Sequence, residues 1–288
     1  MFLGLGHGVG IGGFIAPLPE TDFIWTVATT GAAETFTIPC KDAGVFNASV
    51  DWGDGSTSAI TAYNDADLVH TYASAGDHQI RISGTFPNVY FADAGDKLKV
   101  KSVENLGVVG WVDLGYSFNG CANMTTFVGG NSDTSTVTLM NSMFSGCTGL
   151  LSADLSGMDI SSTTRLNYAF FGCTNLASVI ASGLDTSSVT SMYAMFYNCP
   201  SITDIVGVDD FNIEALTFNY GLSSFANATT LPNARYDALL IKWDAQNPLD
   251  GLSPDFGGSK YTAGGAAAAA RANLISTDGW TITDGGTA

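Results

Sequence analysis

The chain has 288 residues, enough for two small domains or for one domain with appendages. Hydrophobic residues make up 45 % of it and charged residues only 13 %, so it has material for apolar cores and a surface of mostly uncharged polar residues. The formal net charge of −17 argues against nucleic acid or an anionic membrane as the main partner, because phosphate binding needs Lys and Arg, and no membrane insertion is expected.

Residues 1–17 form an apolar segment rich in glycine, MFLGLGHGVGIGGFIAP. No Lys or Arg precedes Lys41, unlike in a secretory signal, and the glycines disfavour a membrane helix. Such a segment loses much conformational entropy when it orders alone, so residues 1–20 are predicted to be an assembly arm that orders against another protein. The segment resembles the openings of bacteriophage and prophage structural proteins. The side chains expected to dock are Phe2, Leu3, Leu5, Val9, Ile11, Phe14 and Ile15.

Residues 21–95 alternate between apolar and polar positions with the period of β-strands. Strands are predicted at 23–27, 34–38, 47–52, 69–72 and 78–83, with turns at 53–56 and 76–77. The Asp54-Gly55 pair between extended runs is a hairpin signal. Asp51 and Asp54 leave calcium binding as an alternative, but the spacing of a calcium loop is incomplete. The words VDWGDGS and VHTYASAGDHQIRI resemble the PKD-type immunoglobulin-like β-sandwich.

A repeat then dominates the chain, because Cys121, Cys147, Cys173 and Cys199 follow one another at steps of 26 residues. A phenylalanine precedes each cysteine by three positions. Self-similarity at this period predicts a solenoid of stacked coils. Each coil is predicted to contain a one-faced helix with an N-cap, such as the stripe Val189, Met192, Met195 and Phe196 after the polar run at 185–188, and then a short strand.

The four cysteines of the repeat occupy the same place in successive coils, which predicts a ladder of buried free thiols and no metal site. The word LDTSSVTSMYAMFYNC at 184–199 resembles the BspA-type leucine-rich repeat surface proteins, and that resemblance extends over about residues 100–235. It implies a leucine-rich-repeat-like solenoid over 96–235.

The repeat gives way to a predicted C-terminal cap at 236–288, since the end of a solenoid must be covered. Helices are predicted at 234–243 and at 263–276, where five alanines follow one another, and a last strand at 280–283. The stretch YTAGGAAAAARANLISTDGWTITDGG resembles the cap of phage-borne members of the same repeat group. The fold class predicted is therefore α+β: a PKD-like sandwich, a short solenoid and a helical cap.

The recognition face is predicted on the strands of the solenoid, where two outward columns flank an apolar inward column. Exposed apolar groups on neighbouring coils are unusual for an inert spacer, which is the alternative. The columns consist of Thr125, Leu151, Ala177 and Thr203, and of Val128, Asp154, Ile180 and Val206.

No hydrolase, metalloprotease or phosphate-binding motif occurs in the sequence, so no enzyme, catalytic residue or cofactor is predicted. The expected function is that of a bacteriophage virion protein, in a tail fibre, a tip or a capsid decoration. Its expected partners are other virion proteins through the arm, further copies of itself, and a host receptor or glycan. The alternative is a bacterial cell-surface adhesin, which we would expect to carry an export signal and an anchor that the sequence does not show.

Overall fold

The computed structural model describes residues 21–218 and 220–288, and it is mostly β-sheet with two helices near the C-terminus, an α+β chain. The predicted assembly arm at 1–20 lies outside the described residues. The strands are β1 (Phe23–Thr29), β2 (Glu34–Thr37), β3 (Asn47–Asp51), β4 (Thr57–Ile60), β5 (Val69–Tyr72), β6 (Gly76–Thr85), β7 (Val100–Asn105), β8 (Thr126–Val128), β9 (Ser152–Asp154), β10 (Ser178–Ile180) and β11 (Asp204–Val206). The helices are α1 (Asn233–Asp244) and α2 (Ala266–Ser276).

Within the described residues, one sheet of nine strands runs from the N-terminal region into the repeats, in the order β11-β10-β9-β8-β7-β1-β6-β3-β4. Its N-terminal strands pair antiparallel, whereas β7 to β11 pair parallel. Strand β7 therefore belongs to both halves, with β1 on one side and β8 on the other. The predicted solenoid begins at residue 96, and β7 continues the N-terminal sheet into it.

The N-terminal strands confirm the sequence pattern, with one change at a turn. Strands β3 and β4 pair antiparallel around the Asp54-Gly55 turn, which is the predicted hairpin. The predicted turn at 76–77 is wrong, because Gly76 and Asp77 pair with β1 as the first residues of β6. A second, smaller sheet pairs β2 with β5. The two sheets touch through their aromatic side chains, with the rings of Trp25 and Phe36 5.4 Å apart.

The repeats place one three-residue strand in each coil, and the strands pair in register at the 26-residue step. The phenylalanines of successive coils form a column in the interior. Ring centroids lie 5.9 Å apart for Phe118 and Phe144, 5.0 Å for Phe144 and Phe170, and 5.2 Å for Phe170 and Phe196. These side chains are at most 1 % exposed, so each contributes the 1.5–3 kcal/mol or so expected of a fully buried aromatic side chain.

The helix predicted in each coil is wrong, because these segments are chains of tight turns. The residue two before each phenylalanine has a positive φ, as at Tyr168 (57°) and Ala194 (51°), which an α-helix does not accommodate. The amide of each phenylalanine donates to the next coil, as from Phe144 to the Ala169 carbonyl at 2.8 Å. Asp185 caps the amide of Ser187 locally, at 2.9 Å, without starting a helix. The apolar stripe with a spacing near three residues suits consecutive turns as well as a helix.

The C-terminal helices confirm the sequence pattern, while the predicted last strand is wrong. Helices α1 and α2 pack together, and Trp243 of α1 packs on Phe256, with ring centroids 5.8 Å apart. Beyond α2 the chain makes only single parallel bridges, Asp255 with Thr283 and Tyr261 with Thr287. The segment is attached to a loop by isolated bridges, so no strand forms at 280–283. Within the described residues, no helix is long and apolar enough to cross a membrane.

Candidate recognition surface

The outward columns of the repeat strands form an exposed surface, which we call the strand face and define by the eight residues predicted above. Leu151 exposes 50 % of its surface, and Ile180 and Val128 expose 38 % and 37 %. The first column, Thr125, Leu151, Ala177 and Thr203, is exposed throughout. In the second, Asp154 and Val206 are partly buried. The Asp154 carboxylate accepts the amide and hydroxyl of Ser156, so it is already engaged in a local turn.

Backbone hydrogen bonds hold the strand face at fixed spacing. The amide of Leu151 donates to Thr125, that of Ala177 to Leu151 and that of Thr203 to Ala177, at 2.8 to 2.9 Å. Neighbouring side chains of a column therefore repeat at the strand spacing, about 4.8 Å. Directly behind them the inward column Phe127, Ala153, Val179 and Ile205 is buried. The strand face is thus a rigid, mixed polar and apolar surface backed by core.

The cysteines of the repeat lie in the interior as free thiols, and each is 0 % exposed. Sequence reasoning treated them as small apolar groups, but they also donate hydrogen bonds. The thiols of Cys147, Cys173 and Cys199 donate to the phenylalanine carbonyl of the preceding coil, at 3.0 to 3.1 Å. Burial raises the pKa of Cys147 and of Cys173, so both stay protonated donors. Cys40, outside the repeat, is only partly buried.

A groove on the turn side of the repeats was missed by the sequence reasoning. It has a volume of about 390 Å³ and shares no residue with the strand face. Its walls include Tyr90, Tyr116 and Tyr168, and its polar groups come from Lys41, Asp113, Asn141, Arg165 and Asn167. We call this the tyrosine groove.

The origin of the tyrosine groove is visible in the repeat. Tyr116, Ser142, Tyr168 and Ala194 occupy equivalent positions at the 26-residue step, all with positive φ. Serine in the second coil omits one ring and leaves a gap between two tyrosines that are 39 % and 38 % exposed. Backbone bridges from Leu139 to Arg165 and from Arg165 to Ser191 hold the coils beside it. The recurrence of tyrosine at positions 116 and 168 is the sequence feature that could have indicated this groove.

The histidines at 70 and 78 have structural partners. His70 stacks on Trp52, with ring centroids 4.8 Å apart, and its Nε2 lies 2.8 Å from the Asp54 carboxylate. His78 stacks on Tyr72 at 3.6 Å. Asp51 accepts the Gly53 amide, and Asp54 the Ser56 amide, so the predicted turn uses both carboxylates. Among the described residues, no three His, Cys, Asp or Glu side chains gather where they could hold a metal ion.

An ion cluster joins the cap to the last repeat. Asp209 is 5 % exposed, and its carboxylate pairs with Arg235 and Lys242 of α1, each at 2.7 Å. Arg235 also pairs with Asp204 of β11, at 3.1 Å. Burial raises the pKa of Asp209, but hydrogen bonds from Lys242 and Arg235 outweigh it, so the net shift is downward. The adjacent acidic pair at 209–210 is therefore a docking point for helix α1.

Comparison with known proteins finds a similarity for the repeat region. No curated protein and no solved structure matches the chain. Residues 112–236, which hold the four cysteine-containing words and the first residues of α1, match the family described as Mycoplasma protein of unknown function, DUF285.

Proposed function

We propose that this chain is a non-enzymatic structural protein that presents the strand face to a partner. The observation that carries the proposal is the exposure of Leu151, Ile180 and Val128 in columns on a rigid parallel sheet. Apolar groups repeated on neighbouring coils form a patch, and such patches are typical of interaction sites. The reactive side chains, namely the histidines at 70 and 78, Asp209 and the thiols of Cys147, Cys173 and Cys199, are engaged in structural contacts instead.

At the level of fold, the proposal is a PKD-like β-sandwich followed by a short leucine-rich-repeat-like solenoid with a helical cap. Two facing sheets around Trp25 and Phe36 support the first part. Parallel strands in register at 26 residues support the second. The antiparallel half of the sheet covers one end of the repeats and α1 the other, which suits a rigid element that holds a surface at a fixed distance.

We propose that the chain is located in a bacteriophage particle, as a tail fibre, tip or decoration protein, and that residues 1–20 dock into neighbouring subunits. It rests on the resemblance of the opening segment and of the cap to phage-borne proteins. The family match instead favours a bacterial protein, because that family is described from Mycoplasma. A bacterial cell-surface adhesin is therefore the second candidate. Both candidates use the strand face in the same way.

The test replaces Leu151 and Ile180 by Ser and measures attachment to host cells and incorporation into the particle. Exposed substitutions change the free energy of unfolding by about 0.5 kcal/mol or less each, so the double variant should fold. Attachment or incorporation should fall. The matched control replaces Val45 and Val69, which are 74 % and 50 % exposed in the N-terminal region, by Ser. A fall in attachment or incorporation for the Leu151 and Ile180 double variant, but not for the control, supports the proposal.

If both variants attach and incorporate as the wild type does, the strand face is an inert spacer and the proposal fails. Antibodies against the chain separate the two locations. Labelling of purified phage particles supports the virion, and labelling of bacterial cells in the absence of phage supports the adhesin.

A further inference from the structure

We infer that the tyrosine groove binds an acidic saccharide. The shape of the groove is the first ground. The missing ring at Ser142 separates Tyr116 from Tyr168 by two coils, about 10 Å at the strand spacing. This gap is wide enough to admit one sugar ring, and the groove volume of about 390 Å³ is that of a small-molecule site.

The aromatic walls are the second ground. A tyrosine ring is amphipathic, since its face packs on apolar C–H groups while its hydroxyl stays in water. One face of a pyranose ring consists of such C–H groups. Tyr90 and Tyr116 lie side by side on one wall, with ring centroids 6.0 Å apart, and Tyr168 lies on the other. On the Tyr168 side the aromatic row continues to Tyr193, at 5.2 Å.

The repeat backbone fixes the positions of the two tyrosines. Tyr116 and Tyr168 have φ values of 60° and 57°, the left-handed conformation that the equivalent Ser142 and Ala194 also adopt. The Tyr116 amide donates to the Asn141 carbonyl at 3.0 Å, and the Tyr168 amide donates to the Tyr193 carbonyl at 2.9 Å. Both tyrosines therefore extend into the groove from a backbone that is hydrogen-bonded to the next coil.

Charge selects an acidic ligand. Lys41 is held by Asp113 at 2.6 Å and lies over the Tyr90 ring at 4.7 Å. Arg165 is exposed, and within the described residues its guanidinium has no hydrogen bond or ion pair. One cation therefore remains available in the groove of a chain with a net charge of −17. A guanidinium pairs with a carboxylate through two parallel hydrogen bonds, which suits a uronic acid.

The amides supply donors and acceptors for sugar hydroxyls. Asn167 accepts the Tyr193 amide at 3.1 Å, which leaves its NH2 group as a donor toward the groove. Asn141 lies beside it in the lining. One available cation is too few for a nucleic-acid backbone, whose binding depends on neutralising several phosphates. Aromatic walls, amides and a single arginine together fit a saccharide with a carboxylate.

The test is calorimetric titration of the full chain with trigalacturonate, and with its methyl ester as the neutral match. We expect trigalacturonate to bind and the ester to bind much more weakly. Arg165→Gln should lower the affinity about tenfold or more, since a hydrogen bond to a charged group contributes about 1.5–3 kcal/mol. Arg81→Gln, which removes the same charge outside the groove, should not. Tyr168→Asn should also weaken binding, because asparagine tolerates the left-handed backbone but lacks the ring.

Tyr63, which is 38 % exposed like Tyr168, provides the control Tyr63→Asn, expected to bind as the wild type. The inference is overturned if trigalacturonate does not bind, if its ester binds equally well, or if Arg165→Gln changes nothing. Equal binding of triglutamate would show recognition of charge alone and would also overturn it. The Leu151 and Ile180 double variant should bind trigalacturonate normally, so failure of this inference is distinguishable from failure of the strand face.

Discussion

Substitution of Cys173 tests how the repeats are held together. The side chain is 0 % exposed, and its thiol donates to the Phe144 carbonyl at 3.1 Å. That carbonyl also accepts the Cys147 amide at 3.0 Å, so it keeps a partner when the thiol is lost. Serine has a shorter bond to its oxygen, which draws the hydroxyl back from the carbonyl, while O–H···O bonds need about 2.5–3.0 Å. We therefore expect a buried, poorly bonded hydroxyl that lowers the free energy of unfolding by about 1–3 kcal/mol.

The variant Cys173→Ala separates the loss of packing by the sulfur from the cost of burying a new hydroxyl group. Cys173→Ala buries no new polar group, and its loss consists of the transfer free energy of the sulfur and the small cavity left behind, about 1–2 kcal/mol. Denaturant unfolding followed by fluorescence gives both values from the shift in midpoint at constant slope. Cys40→Ser is the control, and because Cys40 is only partly buried outside the repeat, we expect a smaller change than for Cys173→Ser.

Two results would refute the reasoning about the thiols. Equal unfolding free energies for Cys173→Ser and wild type would mean that the site is neither dry nor tightly packed. Rapid reaction of all four repeat thiols of the native protein with a bulky thiol reagent would mean that the column is accessible. Reaction of Cys40 alone is the expected outcome, although burial raises its pKa to about 12 and should make that reaction slow.

Three further predictions concern the cap, a turn and the arm. Asp209→Asn should lower the free energy of unfolding by about 1–3 kcal/mol, because it removes the buried carboxylate that both Arg235 and Lys242 contact and leaves them only Asp204 and Asp210. Exposed Asp210→Asn should change it by less than about 1 kcal/mol. Because the pKa of Asp209 is lower in the folded chain, its stabilisation is fully present above the ordinary pKa of 3.8 and is lost as the pH falls through the folded pKa. Acid unfolding of the wild type and of Asp209→Asn measures this loss, and identical acid profiles would contradict it. Gly172 has φ 73°, and the equivalent position in the next coil is Asn198, so Gly172→Asn should be tolerated. Gly172→Ala should lower the free energy of unfolding by about 1 kcal/mol, because alanine disfavours the left-handed backbone. Equal thermal midpoints for Gly172→Ala and wild type would refute this prediction. Removal of residues 1–20 should leave the melting temperature unchanged but abolish incorporation into a particle or oligomer, and a lower melting temperature would place the segment in the core.

Several features could be predicted from the sequence because they depend on local pattern. The 26-residue step identified the columns of Phe and Cys, since identical coils must bury identical positions. Alternation located the N-terminal strands, and the Asp54-Gly55 pair located a hairpin. Helix propensity alone located α2, where alanines follow one another.

Other features depend on contacts between coils and were decided by the tertiary structure. Amides within each turn segment donate to the next coil, so turns replace the helices that the apolar spacing suggested. Strand β7 joins the antiparallel and parallel halves because β1 and β8 both pair with it. The tyrosine groove needs residues 41, 90 and 113 beside the repeat tyrosines. Periodicity shows what each coil buries, but only the packed chain shows which groups from distant segments meet.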